Sequence, residues 1–282
     1  LGKKKDSKLL FASDPDGDRL GVSVQKPNKE YQLLTGNQLG LIYIDYIIKT
    51  KDLHDGVIIN TIVSSALAND ILEKNGIKQY QTLTGFKYII DQVLQLEKQE
   101  KFLLGYEESN GYLFDDFVQD KDAIQAAFVA LEAASFYQTQ NKSFLDVLDE
   151  IYDEYGFVAE ETTNITISGV SGLAKQEEIM EYFRKTYSKH IREQEKVIFE
   201  DYLNQTITKQ KKSRMLDFPK SNVVRFVFED GSFIALRPSG TEPKLKIYFS
   251  MKGETLEVAN NKKTKYQEDI LQRIAKLTEE EE

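Results

Sequence analysis

VIINTIVSSALANDILEKNGIKQYQTLTGFKYIIDQVLQLEKQEKFLLGYEES, residues 57–109, is the stretch on which the fold turns. A strand at 57–61 gives way to a helix at 66–74, a strand at 77–82 to a helix at 86–98, and a strand at 102–105 to a helix at 122–137. Strand and helix in strict alternation predict a parallel sheet flanked by helices. Folds of this kind place ligands at the strand ends. Two of those ends carry unusual residues: Leu83-Thr84-Gly85-Phe86-Lys87 follows Thr82, and Gly105-Tyr106-Glu107-Glu108-Ser109-Asn110-Gly111 follows Leu104.

On the N-terminal side, residues 8–12 predict a strand, 20–25 a second with partial alternation, and 31–34 a short return strand after a Pro27-Asn28-Lys29 turn. Leu39, Ile42, Tyr43, Tyr46 and Ile47 then recur at helical spacing within 36–49. So small a set cannot bury a core alone, and residues 1–52 are expected to form half a domain. On the C-terminal side, 159–282, the pattern changes to a strand at 164–168, a polar helix at 176–187, a hairpin of 223–229 and 232–237 joined by Asp230-Gly231, a strand at 244–251 and a helix at 256–277. The expected class is α/β for residues 53–158, with a parallel or mixed sheet, followed by an α+β domain with an antiparallel sheet.

The chain has 282 residues, enough for two or three domains, with 40% hydrophobic and 29% charged residues, the balance of a globular protein. No apolar run approaches the roughly 20 residues of a membrane span, and no signal-peptide pattern opens the chain, so a cytoplasmic protein without membrane contact is expected. The absence of cysteine excludes thiolate metal sites and a cysteine nucleophile. His54 and His190 stand far apart in sequence, so a metal must rest on oxygen ligands. A net charge of −9 argues against nucleic acid as a partner.

The hexapeptide Asp14-Pro15-Asp16-Gly17-Asp18-Arg19 carries three carboxylates at alternate positions, expected at the exit of a buried strand. Hard oxygen donors in this arrangement suit Mg²⁺ or Ca²⁺, and a solvated acidic turn is the competing reading. An EF-hand is excluded because Arg19 occupies the sixth loop position, where glycine is needed, and Gln25 the twelfth, where glutamate is needed. Arginine directly after the third aspartate suits a cation site that also handles an anion, with phosphate the best fit.

A second candidate is Arg237-Pro238-Ser239-Gly240-Thr241-Glu242-Pro243-Lys244. Arg237 can supply a bidentate fork, Ser239 and Thr241 hydroxyls, and Gly240 close backbone approach to a phosphate; a plain turn has the same composition. Glu107, Glu108 and Ser109 suit gripping sugar hydroxyls, or form an exposed acidic turn. Thr84 is a candidate cap for the helix beginning near Phe86, which makes Lys87 a surface residue of its first turn. Asp120 or Asp122 can cap the next helix, and Lys121 can meet a phosphate or assist proton transfer. Ser64-Ser65 reads as a helix cap, since no base stands nearby and no G-x-S-x-G surrounds it.

The four loops in this order, DPDGDR, TLTGFK, GYEESNGY and RPSGTEPK, resemble the α-D-phosphohexomutase family over nearly the whole chain. The resemblance implies domains around a cleft: residues 1–52 as the later half of domain 2 with the metal loop, 53–158 as an α/β domain 3 with the sugar loop, and 159–282 as a TATA-binding-protein-like domain 4 with the phosphate loop. It implies that Asp14, Asp16 and Asp18 hold Mg²⁺ and that Arg19 lies beside a phosphoserine. Gly85, Phe86 and Lys87 match the loop that distinguishes two sugar orientations, and Glu107 and Ser109 the pair that binds sugar hydroxyls. Lys121 matches a lysine of the same cleft, and Arg237, Ser239, Gly240 and Thr241 the clamp on the phosphate that is not transferred.

The implied reaction passes a phosphoryl group from phosphoserine to a sugar monophosphate, with glucose 1,6-bisphosphate as intermediate and activator. A Gly-Glu-Glu-Ser-like loop resembles phosphoglucomutases, whereas Tyr106 and Gly111-Tyr112 are closer to the branch that includes phosphopentomutases; phosphomannomutase and a non-catalytic phosphosugar-binding module are the further alternatives. The family's catalytic serine, followed by His-Asn-Pro, occurs nowhere in these residues. Together with Leu1 in the first position, that departure leads to the expectation of a C-terminal fragment that works with N-terminal domains of the same protein and is inactive alone.

Overall fold

The computed structural model describes residues 2–167, 172–240 and 242–279. The chain forms two compact units, Leu1–Tyr155 and Gly156–Glu282. The segment 1–52 packs within the first unit, and the boundary expected at 158/159 falls inside a strand of the second.

The first unit opens with α1 (Gly2–Lys5) and an antiparallel sheet in the order β1 (Leu9–Ser13), β2 (Leu20–Gln25), β3 (Tyr31–Leu33). Leu9 faces Val24 and Ser13 faces Leu20, which makes the acidic hexapeptide the turn of the β1–β2 hairpin. Leu20, Val22 and Val24 are buried at alternate positions of β2. The strand entering the acidic loop is not buried, contrary to expectation: β1 lies at the sheet edge and its residues are half-buried or exposed. α2 (Gly36–Thr50) follows a capping box in which Gln38 N–H donates to Thr35 Oγ1 at 3.1 Å and Thr35 N–H to Gln38 Oε1 at 3.0 Å.

Next come β4 (Gly56–Thr61), α3 (Ala66–Lys74), β5 (Lys78–Thr82), α4 (Phe86–Val93), β6 (Lys101–Tyr106), β7 (Tyr112–Leu113), α5 (Ala123–Gln138) and α6 (Phe144–Tyr155). The sheet order is β5-β4-β6-β7, with β4 parallel to both neighbours and β7 antiparallel to β6, a mixed sheet. Every residue of β4 is buried, as a central strand with covered faces requires. α4 packs Phe86, Ile89, Ile90 and Val93 against Val57 and Ile59, each burial worth roughly 1.5–3 kcal/mol before entropy is counted. It ends at Val93, short of the expected 98, because Leu94 is already exposed and Glu97 N–H turns to the Glu100 carboxylate.

Ser65 caps α3 through Leu67 N–H, and Asp122 caps α5 through the N–H groups of Ile124 and Gln125, as expected. Thr84 does not cap α4: Gly85 holds the N-cap position, with no side-chain bond. α6 was not anticipated.

The second unit is an antiparallel sheet in the order β11-β10-β9-β12-β13-β14-β8, with β8 (Phe157–Thr166), β9 (Ile198–Asp201), β10 (Thr206–Lys209), β11 (Lys212–Met215), β12 (Val224–Val227), β13 (Phe233–Pro238) and β14 (Lys244–Gly253). β8 pairs with β14 along its whole length, from Phe157 opposite Gly253 to Thr166 opposite Lys244. It starts well before the expected 164, and Ser168 lies outside the described residues. Between β12 and β13, Gly231 takes φ +83° and Asp230 accepts from Ser232 N–H.

The expected helix at 176–187 is instead α7 (Gly172–Tyr182), a π-helical turn at Phe183–Tyr187, and α8 (Ser188–Gln194). With α9 (Leu256–Glu279) these segments bury one sheet face: Ile179, Phe183, Tyr187, Ile270 and Ile274 join Phe226, Leu236, Ile247 and Phe249 in one core.

Candidate active site

The acidic turn folds back on itself. Gly17 takes φ +71°, a conformation that favours glycine, and Asp14 Oδ1 accepts the backbone N–H of Asp18 and of Arg19, each at 3.2 Å. Partial desolvation pushes the Asp14 carboxyl up, but the N–H groups of Arg19 and Asp18 and the Arg19 charge outweigh it and hold it below the usual aspartate range. Asp16 is exposed. Asp18 Oδ2 lies 3.0 Å from Lys121 Nζ, while its Oδ1 is shielded from solvent and has no hydrogen-bond partner.

The sugar-loop candidate is stitched to this turn. Arg19 and Gly111 form an antiparallel bridge, Leu20 N–H donates to Asn110 O at 3.0 Å, and Asn110 Nδ2 donates to Leu20 O at 3.2 Å. Asn110 takes φ +66°, within reach for asparagine. Arg19 keeps half of its side chain in solvent.

Glu107, 6% exposed, accepts the Gly85 backbone N–H on Oε1 at 2.8 Å. Gly85 stands at φ +119°, where an L side chain is strained. Phe86 is buried, Lys87 is exposed with Nζ over the Tyr88 ring at 4.7 Å, and Ser109 is half-buried. Glu108 Oε2 accepts from Thr61 Oγ1 at 3.3 Å, which fastens the loop to the end of β4.

Lys121 links the two loops. Its ammonium pairs with Asp18 and Asp120, each at 3.0 Å, and lies 5.4 Å from the Phe86 ring centroid. Its stem passes so close to Gly111 that an added Cβ would stand 2.3 Å from Lys121 Cδ. Desolvation disfavours its charge, but the two carboxylates outweigh this and raise its pKa above the usual lysine value. Burial likewise opposes ionisation of Asp120, whose carboxyl is nevertheless held low by Lys121.

The structure therefore brings Asp14, Asp18, Arg19, Gly85, Phe86, Glu107 and Lys121 together in one unit. Sequence reasoning passed over Gly111 and Asn110 as positioning residues, although Asn-Gly is a turn signal. Among the described residues no three carboxylate or imidazole groups converge on one point suited to a metal. The donor chemistry fits a hard divalent cation nonetheless: three carboxylates share one short turn, and the shielded Asp18 Oδ1 makes no hydrogen bond, its ion pair with Arg19 Nε being 4.0 Å long.

In the second unit, Arg237 is half-buried and is the cross-strand partner of Lys246. Ser239 N–H donates to Lys244 O, and Gln176 Nε2 donates to the carbonyls of Glu242 and Lys244, shaping the turn. Nothing lies within 4 Å of where a Gly240 Cβ would stand. Thr241 lies outside the described residues.

Two family models match the chain: "Phosphoglucomutase/phosphomannomutase, alpha/beta/alpha domain III" over residues 35–155, and the corresponding "C-terminal domain" over 175–265. A phosphoglucomutase of Staphylococcus aureus strain MRSA252 is 37% identical over 255 residues, covering 89% of this chain and 46% of that protein. The chain thus spans about half the length of the curated relatives it matches. The Paramecium pp63/parafusin phosphoglucomutase in its open form superposes with TM-score 0.67 at 21% identity, over 98% of this chain and 47% of that one. A phosphoglucomutase/phosphomannomutase family protein of Burkholderia thailandensis gives 0.58 at 17%, over 99% and 48%. With both family models in chain order and the relatives alike along most of its length, the chain belongs to the α-D-phosphohexomutase family.

Proposed function

We propose that this chain provides the metal, sugar and phosphate loops of a phosphoglucomutase, which interconverts glucose 1-phosphate and glucose 6-phosphate in the cytoplasm. The observation that carries the reading is the joining of the acidic turn to the sugar loop by the Arg19–Gly111 bridge and the Lys121–Asp18 pair. The phosphoglucomutase names of the curated relatives support the same activity.

In this reading a phosphoryl group passes from a phosphoserine to the free hydroxyl of the sugar monophosphate, and the hydroxyl proton ends on the serine. The resulting glucose 1,6-bisphosphate rebinds in the opposite orientation and returns its other phosphate. Asp14, Asp16 and Asp18 would hold Mg²⁺, which offsets charge developing on the transferring group. Arg19, half in solvent beside those carboxylates, supplies a guanidinium to phosphoryl oxygens. Glu107, fixed on one oxygen by Gly85, accepts from a sugar hydroxyl on the other, and Ser109 adds a hydroxyl. Held as an ammonium by two carboxylates, Lys121 donates to substrate oxygens rather than abstracting a proton. Arg237, Ser239 and Gly240, with Thr241, hold the phosphate that is not transferred.

Pentose phosphate as substrate would be favoured by Tyr106 if that residue touched the sugar. Tyr106 is instead fully buried, accepting from Asn60 Nδ2 and packed so tightly on α2 that a Cβ on Gly40 would meet its ring at 2.7 Å. The Gly-Glu-Glu-Ser-like loop and the phosphoglucomutase names of the curated relatives favour glucose phosphate. Calorimetric titration of glucose 1-phosphate with Mg²⁺ should show binding to the wild type and its loss in Glu107→Ala; a wild type that binds no hexose phosphate would overturn the proposal. These 282 residues alone should not turn glucose 1-phosphate over, since no serine among them precedes His-Asn-Pro.

A further inference from the structure

We infer that Lys121 competes with the divalent cation for Asp18 and thereby couples the metal turn to the sugar loop; the inference rests on the metal-loop reading above. The Lys121 ammonium lies 3.0 Å from Asp18 Oδ2, and the other oxygen of that carboxylate is buried without a hydrogen bond. A carboxylate so placed has one oxygen on the ammonium and one that makes no hydrogen bond, with Arg19 Nε 4.0 Å away, to offer a divalent cation. Mg²⁺ sits about 2.0–2.1 Å from its oxygen ligands, so a cation on Asp18 would stand within a few ångströms of the ammonium. Two positive charges at that distance repel strongly in a partly desolvated site.

Lys121 already has a second partner. Asp120 Oδ1 also lies 3.0 Å from Nζ, on a side chain that is 61% exposed. The Lys121 side chain is only 11% exposed, and its stem is confined where it crosses Gly111. Confinement holds the terminal ammonium between the two carboxylates, beside Phe86 and the Glu107 loop, so an ammonium that loses Asp18 still rests on Asp120. Metal binding at Asp18 then shifts the ammonium toward Asp120, where it can meet an anionic substrate. By reciprocity, an anion that draws Lys121 away from Asp18 strengthens metal binding.

The test is Mn²⁺ titration of the 282-residue chain, with free Mn²⁺ read by electron paramagnetic resonance and with Lys121→Met and Asp120→Asn as variants. Methionine keeps an apolar stem across Gly111 and removes the charge. Lys121→Met should bind Mn²⁺ about tenfold more tightly, the loss of one screened like-charge contact. Asp120→Asn should bind several-fold more weakly, because the ammonium then rests on Asp18 alone. Equal or weaker binding by a folded Lys121→Met overturns the competition while leaving the metal turn intact. No binding by the wild type overturns the metal-loop reading and the competition with it. Should Lys121→Met fail to fold, Asp120→Asn decides: weaker binding supports the inference, and unchanged or tighter binding refutes it.

Discussion

Gly85 donates its backbone N–H to Glu107 Oε1 at 2.8 Å, so the loop after β5 and the loop after β6 are held together across the end of β4. The bond needs Gly85 at φ +119°, and it needs an acceptor on residue 107. Glu107→Gln keeps an acceptor and should lower stability by less than about 0.5 kcal/mol, whereas Glu107→Ala leaves a partly buried N–H unpaired and should cost about 1–3 kcal/mol. Gly85→Ala should cost about 1–3 kcal/mol through backbone strain. Urea denaturation of the three variants checks the ranking; equal loss in Gln and Ala would show that the acceptor does not matter.

A second pair holds the C-terminal unit. Arg184, on the π-helical turn, donates from Nε to Asp201 Oδ1 at 3.2 Å, and both side chains are nearly solvent-free. Asp201 also accepts from the N–H groups of Leu203 and Asn204. Removing the carboxylate takes the Nε partner from a buried guanidinium that keeps Asn222 Oδ1 at 2.7 Å and Glu181 Oε2 at 3.6 Å, so Asp201→Ala should destabilise the unit by about 1.5–3 kcal/mol. Thermal unfolding is the measurement, and a change within the error of the wild type would refute this role.

Acid should weaken the same unit through two further carboxylates. Lys263 is the main cause that holds Glu161 below the usual glutamate range, with Gln267 adding to it against burial. For Asp230 burial pushes upward, but Lys262 and the Ser232 N–H win and keep it low. Both folded-state values lie below the unfolded ones, so their contribution is complete above the unfolded pKa values of about 4 and is lost as pH falls through the folded ones. Lys263→Met should reduce stability at pH 7, and its gap to the wild type should close toward pH 2. A gap of constant size across that range would show that Lys263 acts by packing alone.

The strand–helix rhythm was legible because β4 is a short apolar run bounded by a capping serine, a local signal. α6 carries Phe144, Val147, Leu148 and Ile151 at helical spacing, yet it fell outside the alternation from which the domain was read. The short β9, β10 and β11 gave no such signal: β11, Lys212–Met215, is exposed throughout and owes its conformation to its partner strand. The loops of the candidate site were visible one by one. What joins them was not, since the Gly85–Glu107, Leu20–Asn110 and Asp18–Lys121 contacts depend on where the sheet brings separate loops together.

The C-terminal loop presents cations at close quarters. Arg237 stands directly across from Lys246, and like charges in opposite register on adjacent antiparallel strands destabilise the sheet unless something offsets them. A bound anion would do so, and Gly240, with open space around its missing Cβ, leaves the backbone free to approach one. Arg237→Ala should therefore weaken inorganic phosphate binding about tenfold, the loss of one charge-assisted contact, while leaving stability unchanged or slightly raised. Gly240→Ala meets no neighbour, so its stability should stay within about 0.5 kcal/mol while phosphate affinity falls. Phosphate titration by calorimetry beside urea denaturation separates the two effects: a loss of stability in Arg237→Ala with unchanged phosphate affinity would make this arginine a structural residue of β13.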